Sequence, residues 1–285
     1  MTRPSGQPAT RLVQVAPGVA FGGDAPPAFI AGPCVIESAE HCLHMAREVA
    51  SAAREAGVPV IFKASFDKAN RSSLSSYRGP GLGEGLAILK QVKEETGLPV
   101  LSDIHEPDQA EMAGQVLDVI QIPALLCRQT DLLQEAARTG RPINLKKGQF
   151  AAPWDMLPAV EKITASGNEN VIITERGASF GYNNLVVDMR SLAILRETGF
   201  PVVFDATHAV QLPGAQGTRS DGQPQFIEVL ARAAAGAGLD GLFTETHDQP
   251  EKALSDGANS LPLPRLVPLM QQVTAISALV RAARW

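Results

Sequence analysis

The sequence predicts a (β/α)8 TIM barrel with an N-terminal β-hairpin closing its bottom, on three observations. Eight short apolar runs rich in β-branched residues recur every few dozen residues, and each ends in polar or charged residues. Most are continuous rather than alternating, as in strands buried on both faces of a parallel sheet. The stretches between them are long enough for the crossover helix that parallel neighbours require.

Taken in chain order, residues 1–10 are rich in Pro, Ser, Gly and Thr and read as a loose tail. Residues 11–23 fit a hairpin turning at Ala16-Pro17-Gly18. The barrel strands are expected at Ala28 to Cys34, Pro59 to Ser65, Pro99 to His105, Asp118 to Ala124, Pro142 to Gln149, Val171 to Gly177, Pro201 to His208 and Gly241 to His247. Four of them are entered through the same punctuation: Ala56-Gly57-Val58-Pro59, Thr96-Gly97-Leu98-Pro99, Thr139-Gly140-Arg141-Pro142 and Thr198-Gly199-Phe200-Pro201. Each glycine stands where a helix ends in a left-handed residue, and each proline where its missing N–H costs little. These turns mark the bottom of the barrel, so the polar strand ends face the top, where barrel enzymes place their chemistry. A helix is expected over Ser38 to Ala56 and another ending near Thr96. The apolar stretch Leu266 to Val280 reads as the eighth barrel helix or part of an interface between copies.

A chain of 285 residues, 45% hydrophobic, fits one such domain over residues 1–285. No apolar run approaches the ~20 residues that span a bilayer, and no signal peptide stands at the start, so the expectation is a cytoplasmic protein with no membrane partner. Three widely spaced cysteines fit reduced thiols. A net charge of −5 argues against nucleic acid as a partner.

Local cationic clusters nevertheless gather at strand ends: Lys63, Lys68 and Arg71 after the second strand, Lys146 and Lys147 at the fifth, and Arg176 at the sixth. A lone Lys or Arg is ordinarily a solvated surface charge. Five or six converging on one mouth repel one another unless an anion binds there. Within FKASFDKANRSS, Asn70, Arg71, Ser72 and Ser73 offer donors suited to a phosphate. Of the Lys146-Lys147 pair, the first is favoured, because neighbours on a strand point to opposite faces.

Cys34, His208, Glu245 and Asp256 follow strands one, seven and eight, which are neighbours once a barrel closes. Thiolate, imidazole and carboxylates together suit a divalent metal ion such as Zn, Fe or Mn. Residue type alone equally allows a buried apolar cysteine and a hydrogen-bonded structural histidine. Cys42 and Cys127 read as structural. His105 and His247 end strands as proton carriers or loop anchors, with Asp103 aimed at the same mouth; His41 and His44 receive no role. Neither Gly79–Gly83 nor Leu212–Gly217 is a phosphate-loop or dinucleotide motif, although the second suits a mobile lid.

The segments GPCVIES, FKASFDKANRSS, SDIHEP, LCRQTDLL, NLKKGQF, ERGASFGYNN, DATHAVQLPG and ETHDQPEKALSDG, running in order from Ala28 to about Leu263, together resemble the 3-deoxy-D-manno-octulosonate 8-phosphate synthases. The resemblance implies condensation of phosphoenolpyruvate with D-arabinose 5-phosphate, releasing phosphate and a sugar acid used for bacterial lipopolysaccharide. It implies the metal-dependent branch, because Cys34 stands where the other branch has Asn, with His208, Glu245 and Asp256 as the remaining ligands. Lys68 is then the partner of the phosphoenolpyruvate carboxylate, Lys146 and Arg176 hold its phosphate, and Lys63 and Gln121 line that pocket. Arg71 and Ser72 take the phosphate of arabinose 5-phosphate, Asn70 and Asp103 lie near its hydroxyls, and His105 handles the proton of the attacking water. The catalytic set is thus Lys68, Asn70, Asp103 and His105. A homotetramer is the family's usual assembly. The alternatives are a 3-deoxy-D-arabino-heptulosonate 7-phosphate synthase using erythrose 4-phosphate, and a non-catalytic barrel that binds sugar phosphates. The stretch Ala215 to Gln225 is less distinctive than its flanks.

Overall fold

The computed structural model describes residues 9–71, 73–214 and 221–283. Residues 1–8 of the expected tail, Ser72, and residues 215–220 of the expected lid lie outside them.

β1 (Val13–Ala16) and β2 (Val19–Phe21) pair antiparallel across Ala16-Pro17-Gly18, as the sequence predicts. The barrel follows as β3 (Ala28–Gly32), α1 (Ala39–Ala56), β4 (Val60–Lys63), α2 (Leu82–Thr96), β5 (Val100–Asp103), α3 (Gln109–Val116), β6 (Val119–Ile122), α4 (Thr130–Arg138), β7 (Ile143–Lys146), α5 (Leu157–Thr164) and β8 (Val171–Glu175). A small hairpin, β9 (Ala178–Ser179) and β10 (Leu185–Val186), precedes α6 (Arg190–Arg196) and β11 (Val202–Asp205). A ribbon of β12 (Gln211–Leu212) and β13 (Asp221–Gly222) leads to α7 (Ile227–Ala237), β14 (Gly241–His247), β15 (Leu261–Pro262) and α8 (Leu266–Ala282). The eight strands β3, β4, β5, β6, β7, β8, β11 and β14 pair in parallel, and β14 closes the ring by pairing with both β3 and β11.

The repeated helix-to-strand turns are built as their residues dictate. Gly57, Gly97, Gly140 and Gly199 have φ of 67°, 70°, 70° and 81°, the left-handed conformation that ends a helix without a side-chain clash. The following prolines lack a donor, yet their carbonyls start the ladder. Phe29, Phe62, Ile120 and Ile173 donate to the carbonyls of Pro59, Pro99, Pro142 and Pro201 at 2.9 to 3.0 Å. Seven of the eight strands are shorter than the runs suggest, whereas β14 keeps the full Gly241–His247, polar end included. Cys34 sits beyond β3, just before the isolated bridge of Val35 to Ser65.

Alternation along the strands sorts the interior from the helix-facing layer. Ile30, Ile61, Leu101, Val119, Ile172, Val203 and Phe243 form an inner cluster with Val13, Val19 and Phe21 of the hairpin. Phe29, Phe62, Ile120, Leu145, Ile173, Phe204 and Leu242 join the helices in a separate, larger cluster. The hairpin therefore stoppers the bottom, and Phe21 is its plug. Gly241 is a glycine because a Cβ there would stand 2.5 Å from the Phe21 ring. Phe21→Ala leaves a cavity at the barrel base, with an expected loss of about 3–5 kcal/mol in a urea unfolding curve; a loss under about 1 kcal/mol would show that the hairpin does not plug the base.

One sequence expectation needs correction. The segment Leu263–Ala282 does reach the length and apolar composition of a candidate membrane span. In the fold it carries α8, which buries Leu266, Leu269, Met270 and Val273 and packs against α7 and α1 as the eighth barrel helix.

Candidate active site

One step above the apolar inner layer, the same alternation turns polar side chains inward. Asn144 donates to Gln121 at 2.9 Å, and Thr174 donates to Asn144 at 2.5 Å. Above these lies the charged mouth, lined by Lys63, Lys68, Asn70, Arg71, Asp103, His105, Gln121, Lys146, Arg176, His208, Glu245 and Asp256. Lys63, Lys68, Asn70, Arg71, Asp103, His105, Gln121, Lys146 and Arg176 therefore meet at one opening, whereas Ser73, Lys147 and His247, which the sequence also singles out, do not line it. Lys147 points the other way, donating to the carbonyls of Gly148 and Ala151 and pairing with Glu175 at 3.5 Å. The choice of Lys146 over its neighbour stands.

The cations are not the repelling cluster that the sequence suggests. Buried carboxylates interleave them, for an isolated ammonium cannot leave water without a partner. Lys63 donates to Glu245 Oε1 at 2.6 Å and to the Cys34 carbonyl at 2.8 Å, so its charge is engaged within the protein. Lys146 pairs with Asp205 and lies over the Phe243 ring, 3.6 Å from its centroid. Burial pulls the Lys146 ammonium below its ordinary pKa, although Asp205 opposes this. Lys68 stands 3.8 Å from Glu245 Oε1. Burial would lower its pKa, but Cys34, Glu245, Asp103 and Asp256 together hold it well above the usual value. Arg176 is buried, with one guanidinium nitrogen on Gln211 at 2.9 Å and Nη1 without a hydrogen-bond partner. A buried donor left open at the mouth is suited to an anion.

Three anchoring residues escaped the sequence reading. Asp205 is fully buried, and its Oδ1 accepts from the backbone N–H groups of Thr207 and His208 and from the Thr207 hydroxyl. Its Oδ2 lies 2.7 Å from His208 Nδ1, which fixes the imidazole from behind. Burial would raise its pKa, but His208 and Lys146 hold the carboxyl well below the usual range. Ser255 accepts from Arg71 Nη1 at 2.8 Å and sits 3.0 Å from Cys34 Sγ. Gln211 orients Arg176. Each lies in a motif already singled out, DATHAVQLPG or ETHDQPEKALSDG, and an acidic residue three positions before a strand-end histidine was the available signal for Asp205.

The Cys/His/Glu/Asp quartet converges as well. Ligand atoms of Cys34, Glu245 and Asp256 lie within 4.8 Å of one another. His208 Nε2 is 3.6 Å from Glu245 Oε2 and 3.8 Å from Asp256 Oδ2. Glu245 Oε2 is buried without a hydrogen-bond partner. Burial, Asp256 and Glu245 push the Cys34 thiol well above its ordinary pKa. Asp256 reaches this place with φ of 49°, a left-handed conformation that costs a non-glycine residue about 1 kcal/mol. An orphaned carboxylate oxygen, a thiol among acids and an imidazole backed by a carboxylate fit a divalent cation of the zinc class. By contrast, Cys42 is packed in the core, and burial alone pushes its thiol up to about 12.

Near the mouth, Asp103 Oδ2 lies 3.1 Å from His105 Nε2, and Asp103 also accepts from the Ser65 hydroxyl. Burial would raise the Asp103 pKa, yet His105 and Lys68 hold it below the usual range.

The profile described as the DAHP synthetase I family matches residues 8–280. A 2-dehydro-3-deoxyphosphooctonate aldolase of Syntrophotalea carbinolica is 60% identical over 263 residues, 92% of this chain and 95% of its own. Proteins of the same name from Geobacter metallireducens and Geobacter sp. strain M21 are 60% and 58% identical, over 92% and 95% of this chain and 97% and 99% of theirs. With that profile spanning nearly the whole length, the chain belongs to the DAHP synthetase I family.

Proposed function

We propose that the protein condenses phosphoenolpyruvate with D-arabinose 5-phosphate and water, giving 3-deoxy-D-manno-octulosonate 8-phosphate and inorganic phosphate. The observation that carries this reading is the meeting, in one mouth, of Lys68, Arg71, Lys146 and Arg176, cations enough for two anionic substrates. Two anions can be held there with their reacting carbons together. The relatives at 58–60% identity bear the name of the octonate enzyme, which favours it over the heptulosonate alternative. A barrel that only binds sugar phosphates leaves the acidic quartet and the His105–Asp103 pair without work.

In this reading Lys68 faces the phosphoenolpyruvate carboxylate, and Arg176 and Lys146 take its phosphate. Arg71 takes the sugar phosphate, with Ser72 assigned to the same task, while Asn70 and Asp103 address the hydroxyls. C3 of the enol attacks the aldehyde carbon of the open-chain sugar, the carbonyl π pair moves to its oxygen, which takes up a proton to become a hydroxyl, positive charge develops at C2, and water adds there. His105, held by Asp103, accepts the proton of that water. The resulting hemiketal phosphate breaks its C–O bond and releases phosphate. Cys34, His208, Glu245 and Asp256 would hold a Zn, Fe or Mn ion, which when bound supplies Lewis acidity to the aldehyde or the water. Asp205 keeps His208 Nε2 turned toward those ligands, and Ser255 ties Arg71 to the same cluster.

The protein works in the cytoplasm, where its three free cysteines stay reduced, and supplies a sugar acid for lipopolysaccharide. It assembles as a homotetramer, for which exposed Phe150, Trp154, Phe180 and Tyr182 offer apolar surface. The discriminating experiment mixes the protein with phosphoenolpyruvate and either aldose phosphate and follows phosphate release and product mass. Arabinose 5-phosphate is expected to exceed erythrose 4-phosphate by at least about 100-fold in kcat/KM, with a chelator abolishing turnover and a divalent ion restoring it. Preference for the four-carbon sugar, or phosphate release with neither, rejects the assignment.

A further inference from the structure

Outside the mouth, a second set of metal-ligating side chains has no task in the reaction. Glu37 in the loop between β3 and α1, His41 in the first turn of α1 and His247 at the end of β14 place ligand atoms within 4.8 Å of one another. His247 Nε2 is 3.3 Å from Glu37 Oε1, and the two imidazole rings have centroids 4.7 Å apart. Asp248 completes the group, with Oδ1 at 3.1 Å from His41 Nε2 and 3.0 Å from His247 Nδ1. None of the four lines the mouth.

Two features distinguish this cluster from an ordinary hydrogen-bonded loop anchor. Glu37 and Asp248 converge on the imidazoles, and neither forms an ion pair with a Lys or Arg among the described residues. Two carboxylates brought together on weakly basic partners lack a full counter-charge, and a dication supplies it. In addition, His41 Nδ1 is buried without a partner. A proton can rest there while the Nε2 lone pair turns toward the centre.

We propose that Glu37, His41 and His247 form a second divalent-metal site, two imidazoles and one carboxylate, that takes a zinc-class ion independently of the Cys34 cluster. This donor set leaves positions open for water. Asp248 stands behind His247 Nδ1, the place of the carboxylate that orients a ligating imidazole. In the ion-free arrangement the Gln249 N–H donates to His247 Nδ1 at 2.9 Å and His247 Nε2 faces Glu37. Binding would move the His247 proton to Nδ1, whose N–H then donates to Asp248 in place of the bond it accepted from the Gln249 N–H. Glu37 Oε1 also accepts the Leu254 N–H at 2.8 Å, so the ion would clamp together the start of α1, the end of β14 and the loop leading to Asp256.

Cobalt separates the two sites, because only the Cys34 cluster contains sulfur. The chelated full-length protein, Cys34→Ser, and Cys34→Ser combined with His41→Gln or Glu37→Gln are loaded with Co2+, desalted, and analysed for bound metal and absorption. About two equivalents are expected in the wild type and about one in Cys34→Ser. That single variant loses the thiolate-to-cobalt band and keeps the weaker visible bands of nitrogen and oxygen ligation. Both double variants are expected to lose these bands and fall to no bound metal. A wild type whose single equivalent carries the thiolate band, a Cys34→Ser variant holding none, or double variants that retain the remaining equivalent would each overturn the site. The condensation itself is judged by product formation, so its failure is read separately.

Discussion

Lys68→Ala lowers kcat/KM for the condensation by about 10²–10³-fold, the expectation for removing one buried charge that meets a substrate anion. Lys63 and Lys146 are closely paired with Glu245 and Asp205, whereas Lys68 lies 3.8 Å from its nearest carboxylate and has ammonium hydrogens to offer. Surrounded by Cys34, Glu245, Asp103 and Asp256, it stays protonated throughout the working pH range. Its removal therefore has two consequences. The incoming carboxylate loses its partner, and the acidic groups lose a countercharge, so the local potential turns against both substrates. The loss falls first on the KM for phosphoenolpyruvate, because the carboxylate is bound in the ground state as well as in the transition state. Steady-state kinetics with each substrate varied in turn measures it. A change under about threefold, with the variant folded by circular dichroism, would remove Lys68 from the site. Arginine at the position restores only part of the activity, since a planar fork does not replace a compact ammonium.

The reason this mouth could be read so far from the sequence is the period of two along a strand. Lys63, Asp103, Gln121 and Glu245 lie two residues above Ile61, Leu101, Val119 and Phe243, so one alternation that fills the interior with apolar side chains below delivers polar and charged groups above, and Lys146 stands likewise above Asn144 of the polar layer. The four glycine-proline turns fixed which end is which. Pairing across the barrel carries no such local mark. That Lys146 belongs to Asp205, that Lys63 is spent on Glu245, or that Ser255 bridges Arg71 and Cys34 depends on segments separated by 59, 182, 184 and 221 positions. Sequence reading therefore found the cations but left them unpartnered, and it assigned His41 no role because its partners, Glu37 aside, arrive from the far end of the chain. At α8, Leu266 to Val280 forms the eighth barrel helix as the sequence predicts, although apolar residues facing α1 and α7 share that helix with exposed Leu279, a mixture that hydropathy does not sort.

Cys34→Ala is expected to abolish the thiolate-to-metal absorption of the cobalt-loaded protein and to lower turnover by at least about 10²-fold, beyond the effect typical of losing an outer-shell partner. The fold should survive, because losing one sulfur atom from a small buried side chain costs on the order of 1 kcal/mol. Local charge makes the effect on binding large. Without a cation, burial and the flanking acids Asp256 and Glu245 keep the thiol protonated, so the thiolate and the ion stabilise each other. His208, Glu245 and Asp256 alone retain a weaker nitrogen and oxygen set, and excess metal should recover a fraction of the activity. Unchanged turnover and unchanged cobalt absorption in Cys34→Ala would reject the ligand assignment. Cys34→Asn divides the remaining possibilities. An amide in that place can accept from Lys68 and donate to Asp256 without a metal, so substantial activity in a chelated Cys34→Asn variant would mean that the ion organises the pocket. An inactive variant would mean that Lewis acidity carries part of the reaction.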